Sequence, residues 1–93
     1  MFSWNVQKAI LNFEKHGVSF EEAATTFADE DGLDWDDPGH SDEEVRLKRL
    51  AASALDRILL TVYTVRELSN GKETIRIITS RQASKRERKA YFG

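Results

Sequence analysis

Apolar residues recur along this chain with two different periods. Val6, Ala9, Ile10 and Phe13 fall at helical spacing, so a first helix is expected over Asn5 to His16. Asn5 suits its N-cap, and Gly17 suits a left-handed C-cap after Lys15 and His16. Phe20, Ala23, Ala24 and Phe27 repeat at i, i+3, i+4 and i+7 behind Ser19-Phe20-Glu21-Glu22, a capping-box pattern that opens a second helix. From Ile58 to Val65 the run is β-branched and aromatic, apolar on both faces, as in a central strand. Asn70-Gly71 is a hairpin signal, and Thr74 to Ser80 reads as the returning strand. Ser84-Lys85-Arg86-Glu87 is a second capping box, opening a last helix through about Tyr91.

The remaining segments are less periodic. Phe2-Ser3-Trp4 is a short strand or an extended lead-in. Asp29 to Asp42 reads as an acidic loop, with one short strand around Leu33 to Trp35. Arg46 to Ser53 has a mixed period and fits helix or strand. The expected fold is α+β: a small twisted antiparallel sheet with two N-terminal helices and one C-terminal helix, in a single domain over residues 1–93.

Charge changes the picture. Residues 1–45 hold 2 Lys/Arg against 12 Asp/Glu, and residues 46–93 hold 12 against 4. Such a split suits a basic face for a phosphate backbone. Mutual neutralisation of the two halves across the fold is the other reading. There is no cysteine, so neither a disulfide framework nor a thiolate metal site is available. No apolar run approaches the length that spans a bilayer, and the first residues lack a signal-peptide pattern, so no membrane association and a cytoplasmic location are expected.

Candidate chemistry lies mostly in the basic half. Arg66, Arg76 and Arg81 sit on or beside the two paired strands, and Lys85 and Arg88 on the last helix, with Tyr63 and Tyr91 for stacking. Cations mixed with aromatics suit single-stranded RNA. With a two-residue Asn70-Gly71 turn, Arg66 faces Ile75 and Arg81 faces Leu60, roughly 20 Å apart along the ladder. His16, with Lys15 beside it, is a candidate proton carrier, although a helix C-terminus also favours a charged histidine for structural reasons. His40, within Asp36-Asp37-Pro38-Gly39-His40-Ser41-Asp42, fits no established metal-ligand spacing, so no metal or other cofactor is expected.

Two blocks of sequence resemble one family. Phe2-x-Trp4, Lys8, Asn12, Lys15-His16-Gly17-Val18-Ser19-Phe20-Glu21-Glu22-Ala23 and Phe27 are similar to the N-terminal half of BrnT toxins. Leu60-x-Val62-Tyr63-Thr64-x-Arg66 and Ile75 to Arg88, with Tyr91, are similar to their C-terminal half. The chain departs from the family pattern at Trp4-Asn5-Val6, where Trp-Asp-Pro is common, and at Ala54-Leu55-Asp56-Arg57, where a tight Gly-Arg turn is usual.

The resemblance implies a RelE-like fold and a metal-independent endoribonuclease, the toxin of a bacterial type II toxin–antitoxin pair that inhibits translation by cutting RNA. It also implies a ribbon-helix-helix-type antitoxin as partner, and contact with operator DNA only through that antitoxin. On this reading His16, Lys15, Arg66 and Arg81 are catalytic, Arg76, Tyr63, Lys85 and Arg88 bind RNA, and the antitoxin covers the basic sheet and tail. The alternative is a non-catalytic nucleic-acid-binding or corepressor module, an inactivated toxin.

Overall fold

The computed structural model describes residues 1–38 and 45–93. Within them the chain runs β1 (Phe2–Ser3), α1 (Val6–His16), α2 (Phe20–Thr25), a 3-10 turn (Thr26–Ala28), β2 (Leu33–Asp36), β3 (Arg46–Ala52), β4 (Ile58–Glu67), β5 (Glu73–Gln82) and α3 (Lys85–Phe92). The five strands form one sheet in the order β1-β5-β4-β3-β2. Strands β2 to β5 are antiparallel, and β1 joins β5 in parallel. The sheet is therefore mixed rather than wholly antiparallel, and Arg46–Ala52, whose period fitted helix or strand, is one of its strands. His40 lies outside the described residues.

Local signals set the helix ends. The Asn5 side chain accepts from the Lys8 N–H, and Gly17 closes α1 at φ 68°, a left-handed conformation that glycine adopts without strain. Ser19 caps α2 through the Glu22 N–H. The reciprocal half of that box is not what the Glu22 side chain does. Its carboxylate instead accepts from Ser53 Oγ at 2.6 Å and from the Arg57 guanidinium. At Ser84 both halves of the box are present, so α3 starts as expected.

The β4–β5 hairpin departs from a two-residue turn. Leu68 and Lys72 close a three-residue loop with Gly71 at φ 81°, and Arg66 pairs with Thr74 rather than Ile75. A bulge then restores the expected register further along. Tyr63 faces Ile77 but Val62 faces Thr79, leaving Ile78 as the extra residue, and Arg81 does face Leu60.

Two apolar layers cover the sheet. On one face α1 and α2 pack through Phe20 and Ala23 onto Ile77, with Trp4 and Ala9 alongside. On the other, α3 lays Tyr91 over Leu50, Ile58 and Leu60.

One polar contact positions α1. The parallel pairing of β1 with β5 stops at Arg76, so among the described residues the outer edge of β5 beyond it has no strand neighbour. The buried Asn12 amide takes that place: Nδ2 donates to the Ser80 carbonyl at 2.8 Å and the Ser80 N–H donates to Oδ1 at 3.1 Å. Nδ2 also donates to the Val18 carbonyl at 3.0 Å, which fixes the α1–α2 connection. Removing the amide strands buried backbone groups at Ser80 and Val18, each worth about 1–3 kcal/mol. Asn12→Ala is expected to lose about 2–4 kcal/mol in urea unfolding, and the Ser80 amide to exchange faster in the native state. A loss within error would show that this contact does not hold α1 on the sheet.

Candidate functional site

The strand register distributes charge between the two faces of the sheet. Side chains of paired residues share a face and alternate along a strand. Asp34, Arg49, Thr61 and Ser80 form one row, and Leu47, Tyr63 and Ile77 the next; both point at the helices α1 and α2. The opposite face carries Trp35, Lys48, Val62 and Thr79 in one row and Arg46, Thr64 and Arg76 in the next, with Arg66 one step further on β4. None of the paired residues in these open-face rows is acidic. Helix α3 covers only the Leu50–Leu60 end of this face.

Arg46 and Arg76 flank Thr64 on adjacent strands, so their backbones are roughly 10 Å apart, and Arg66 lies diagonally beside Arg76. This arginine cluster is spaced for a phosphate backbone. Trp35 stands beside it, 42% exposed, and Lys48 is within 4.0 Å of Asp37. Arg46, Lys48 and Trp35 are functional candidates that the sequence reading missed.

A second cationic cluster lies across the edge of β5. A cavity of about 240 Å³ is lined by Lys8, Asn12, Lys15 and His16 of α1 and by Ile78 and Thr79 of β5. Positions 8, 12, 15 and 16 fall on one helical face, and Asn12 holds that face against the bulged edge. His16 is half-buried there and Lys15 is exposed. Lys8 is a further cation that sequence reasoning passed over, although its helical spacing to Lys15 was a usable signal.

The cations expected to act together do not all meet. Arg81 lies two residues along β5 from Thr79 and does not line the cavity. Arg66 pairs with Thr74, five residues back along β5 and on the face away from α1, so it is not at the His16 cavity. Arg66 and Arg81 are six β4 positions apart, roughly 20 Å, and do not share one phosphate.

Arg81 has a carboxylate partner. Its guanidinium donates to both Glu87 oxygens, at 2.8 and 3.0 Å, and Glu87 also accepts from the Ser84 N–H. Arg81 so hydrogen-bonded holds the Glu87 carboxyl down at about 2, against the smaller opposing effect of burial. The same pair raises the Arg81 pKa and pins the start of α3 to β5. Lys85 and Arg88 are exposed on α3, and Arg88 lies over the Phe92 ring at 5.7 Å.

Tyr63, expected to stack on RNA, is instead a core residue, 6% exposed. The β3–β4 register puts it on the helix face, edge-on to Phe27 at 4.9 Å, with its hydroxyl donating to Asp34 at 2.5 Å. Burial, then the Asp34 bond, push its pKa well up. Arg49, 9% exposed, shares Asp34 and donates to the Thr26 carbonyl at 3.0 Å and the Asp29 carbonyl at 2.6 Å. Part of the acidic segment is thus neutralised inside the fold. Tyr91 is likewise engaged, donating to Asp29 at 2.5 Å. Among the described residues no three His, Asp or Glu side chains gather where they could hold a metal ion, and no helix is long and apolar enough to cross a membrane.

The profile of the family described as "Ribonuclease toxin, BrnT, of type II toxin-antitoxin system" matches residues 4–87. The chain belongs to the BrnT family. Its membership makes an antitoxin partner part of the system, as the family description states. The crystal structure of the Brucella abortus ribonuclease toxin BrnT superimposes with a TM-score of 0.63 at 22% identity, over 91% of this chain and 99% of that one. That likeness shows the BrnT fold. No curated protein matches the chain significantly. Where the family usually has a tight Gly-Arg turn, Asp56 takes the left-handed conformation at φ 59° and Arg57 still reaches Glu22 and the Gly17 carbonyl.

The Arg81–Glu87 pair has a pH signature. Glu87 is depressed in the folded state, so its contribution is present above the unfolded carboxyl pKa of about 4.3 and is lost as pH falls towards about 2. Glu87→Gln keeps the backbone cap and removes the charge. Because Arg81 is 41% exposed, the variant is expected to lose only about 1 kcal/mol at pH 7. The difference from the parent should shrink between pH 4.5 and 2.5 in urea melts, and a constant difference would mean that the charge is not what stabilises this corner.

Proposed function

We propose that this member of the BrnT family cuts single-stranded RNA without a metal, with the chemistry at the β5-edge cavity and the strand held on the open face. The observation that carries the proposal is the meeting of Lys8, Lys15 and His16 in one cavity that borders a sheet face rich in arginine. RNA cleavage of this kind transfers two protons. The 2′-hydroxyl gives up one as its oxygen attacks phosphorus, and the departing 5′-oxygen takes one as the P–O5′ bond breaks, leaving a 2′,3′-cyclic phosphate and a 5′-hydroxyl. Neutral His16 accepts the first proton, protonated Lys15 supplies the second, and Lys8 and Arg81 stabilise the charge that builds on the phosphoryl oxygens. Binding there asks Arg81 to share its fork between Glu87 and phosphate.

On this reading Arg66 moves from catalysis to binding. With Arg76 and Arg46 it holds backbone phosphates, Lys85 and Arg88 extend the track along α3, and Trp35 offers a ring to an unpaired base in place of Tyr63. The protein acts in the cytoplasm, inhibits translation by destroying RNA, and is restrained by a ribbon-helix-helix-type antitoxin that contacts operator DNA for the pair. A RelE-like ancestry fits the same reading.

One observation favours a second reading, a non-catalytic nucleic-acid-binding module or corepressor: Arg81, two residues along β5 from the cavity's Thr79, is already occupied by Glu87. Kinetics on a single-stranded RNA in the presence of chelator separate the two. The parent is expected to cleave to cyclic-phosphate ends, His16→Gln to lose about 10²–10⁴-fold in kcat with little change in KM. Arg76→Ala is expected to raise KM about tenfold, keep kcat and reduce the salt slope of binding by about one. RNA binding without cleavage by the parent selects the second reading.

A further inference from the structure

The opposite side of the molecule has an apolar groove that the ribonuclease reading leaves unused. Val6, Ile10 and Phe13 stand along the outer side of α1, 66%, 50% and 56% exposed. They form the wall of a cavity of about 450 Å³ between α1 and the start of α2, whose floor is Trp4 and the fully buried Phe20. Three large apolar side chains left in water at i, i+4 and i+7, beside a preformed floor, are the pattern of a surface that a partner covers.

Charge narrows the partner. The rim of the groove carries Glu14 and Glu21. Glu21 also borders an adjoining cleft that ends at Leu55, itself 66% exposed, so the acidic rim is bracketed by apolar groups on both sides. A second copy of this chain would bring the same patch against itself and oppose these carboxylates in a two-fold contact. Anionic lipid and the RNA phosphate backbone are disfavoured by the same two charges. A segment with apolar residues at helical spacing and flanking Lys or Arg satisfies both features.

We infer that the α1–α2 groove is where the antitoxin anchors, through an amphipathic basic segment whose apolar side chains fill the space between Ile10, Phe13 and Phe20 and whose cations meet Glu14 and Glu21. The inference rests on family membership for the existence of an antitoxin and is independent of the cleavage chemistry. It moves the anchor away from the basic sheet, where charge alone had suggested it. The groove is formed by the same helix that carries Lys8, Lys15 and His16, so a partner seated there touches the far side of the element that shapes the cavity.

The test uses the full chain and its cognate antitoxin, mixed as purified proteins in a calorimeter. Ile10→Glu with Phe13→Glu is expected to weaken the complex at least 100-fold while the melting temperature stays close to the parent's, as these side chains are exposed. Glu21→Lys, which leaves the apolar wall intact, is expected to weaken it about tenfold and flatten its salt dependence. Hydrogen exchange on the parent complex is expected to show new protection over residues 6–14 and 19–21. Parent-like affinity in both variants, or protection confined to β3–β5 and α3, overturns the inference. So does a parent chain that is a dimer through this face, with the double variant monomeric and still bound by antitoxin. Failure of the ribonuclease reading would appear separately, as absence of RNA cleavage by the free parent with these binding results unchanged.

Discussion

A single carboxamide completes a sheet edge that the backbone leaves unfinished. Strand β1 covers only two residues of β5, and beyond it the Asn12 side chain exchanges two hydrogen bonds with Ser80 much as a neighbouring strand would. Burying such an edge unpaired is costly, and solvating it would lift α1 off the sheet. Because Asn12 is one turn from His16 and Lys15 and one turn from Lys8, the contact that satisfies the edge also aims all three cations at it. Placement of the cavity is thus a by-product of backbone hydrogen-bond accounting.

The sheet then sorts charge by register. Acidic residues of the first half are used inside the fold: on the α1–α2 face Asp34 holds Arg49 and Tyr63 and Glu22 holds Arg57 and Ser53, while Asp29 holds Tyr91 of α3 and the Ala52 N–H. Gly32 leaves room for the Arg49 guanidinium, which a side chain at that position would strike. Both readings of the charge split therefore hold in part. The halves neutralise each other inside the helix-facing layer, while Arg46, Arg66 and Arg76 remain together on the open face.

What could be read from the residues was local. Caps at Asn5, Ser19 and Ser84 depend on side-chain-to-backbone bonds, and the stops at Gly17 and Gly71 on positive φ and local backbone bonds, all within a few positions, so these boundaries followed. Outcomes that depended on distant partners did not. Glu22 matched a capping box, but Arg57, 35 residues on, is a stronger partner for its carboxylate. Arg46–Ala52 kept a mixed period because both its faces are covered, one by the Arg49 network and one by Leu50 under α3, and that ambiguity hid Arg46 and Lys48. Trp35 was obscured by the carboxylates around it. The extra residue at Ile78 could not be foreseen from turn chemistry, and it puts Arg81 on the same face as Arg76.

The central claim is that one sheet face carries the RNA and delivers it to the edge where His16 stands. Photocrosslinking with a 2′-O-methyl RNA strand, which binds but cannot form the cyclic phosphate, tests this directly by locating bases and backbone on the protein. The account predicts crosslinks at Trp35 and along β3–β5, with contact reaching Thr79 and His16, and their loss when Arg66 and Arg76 are both changed to Ala. Crosslinks confined to the α1–α2 groove, or a pattern indifferent to those arginines, would contradict it.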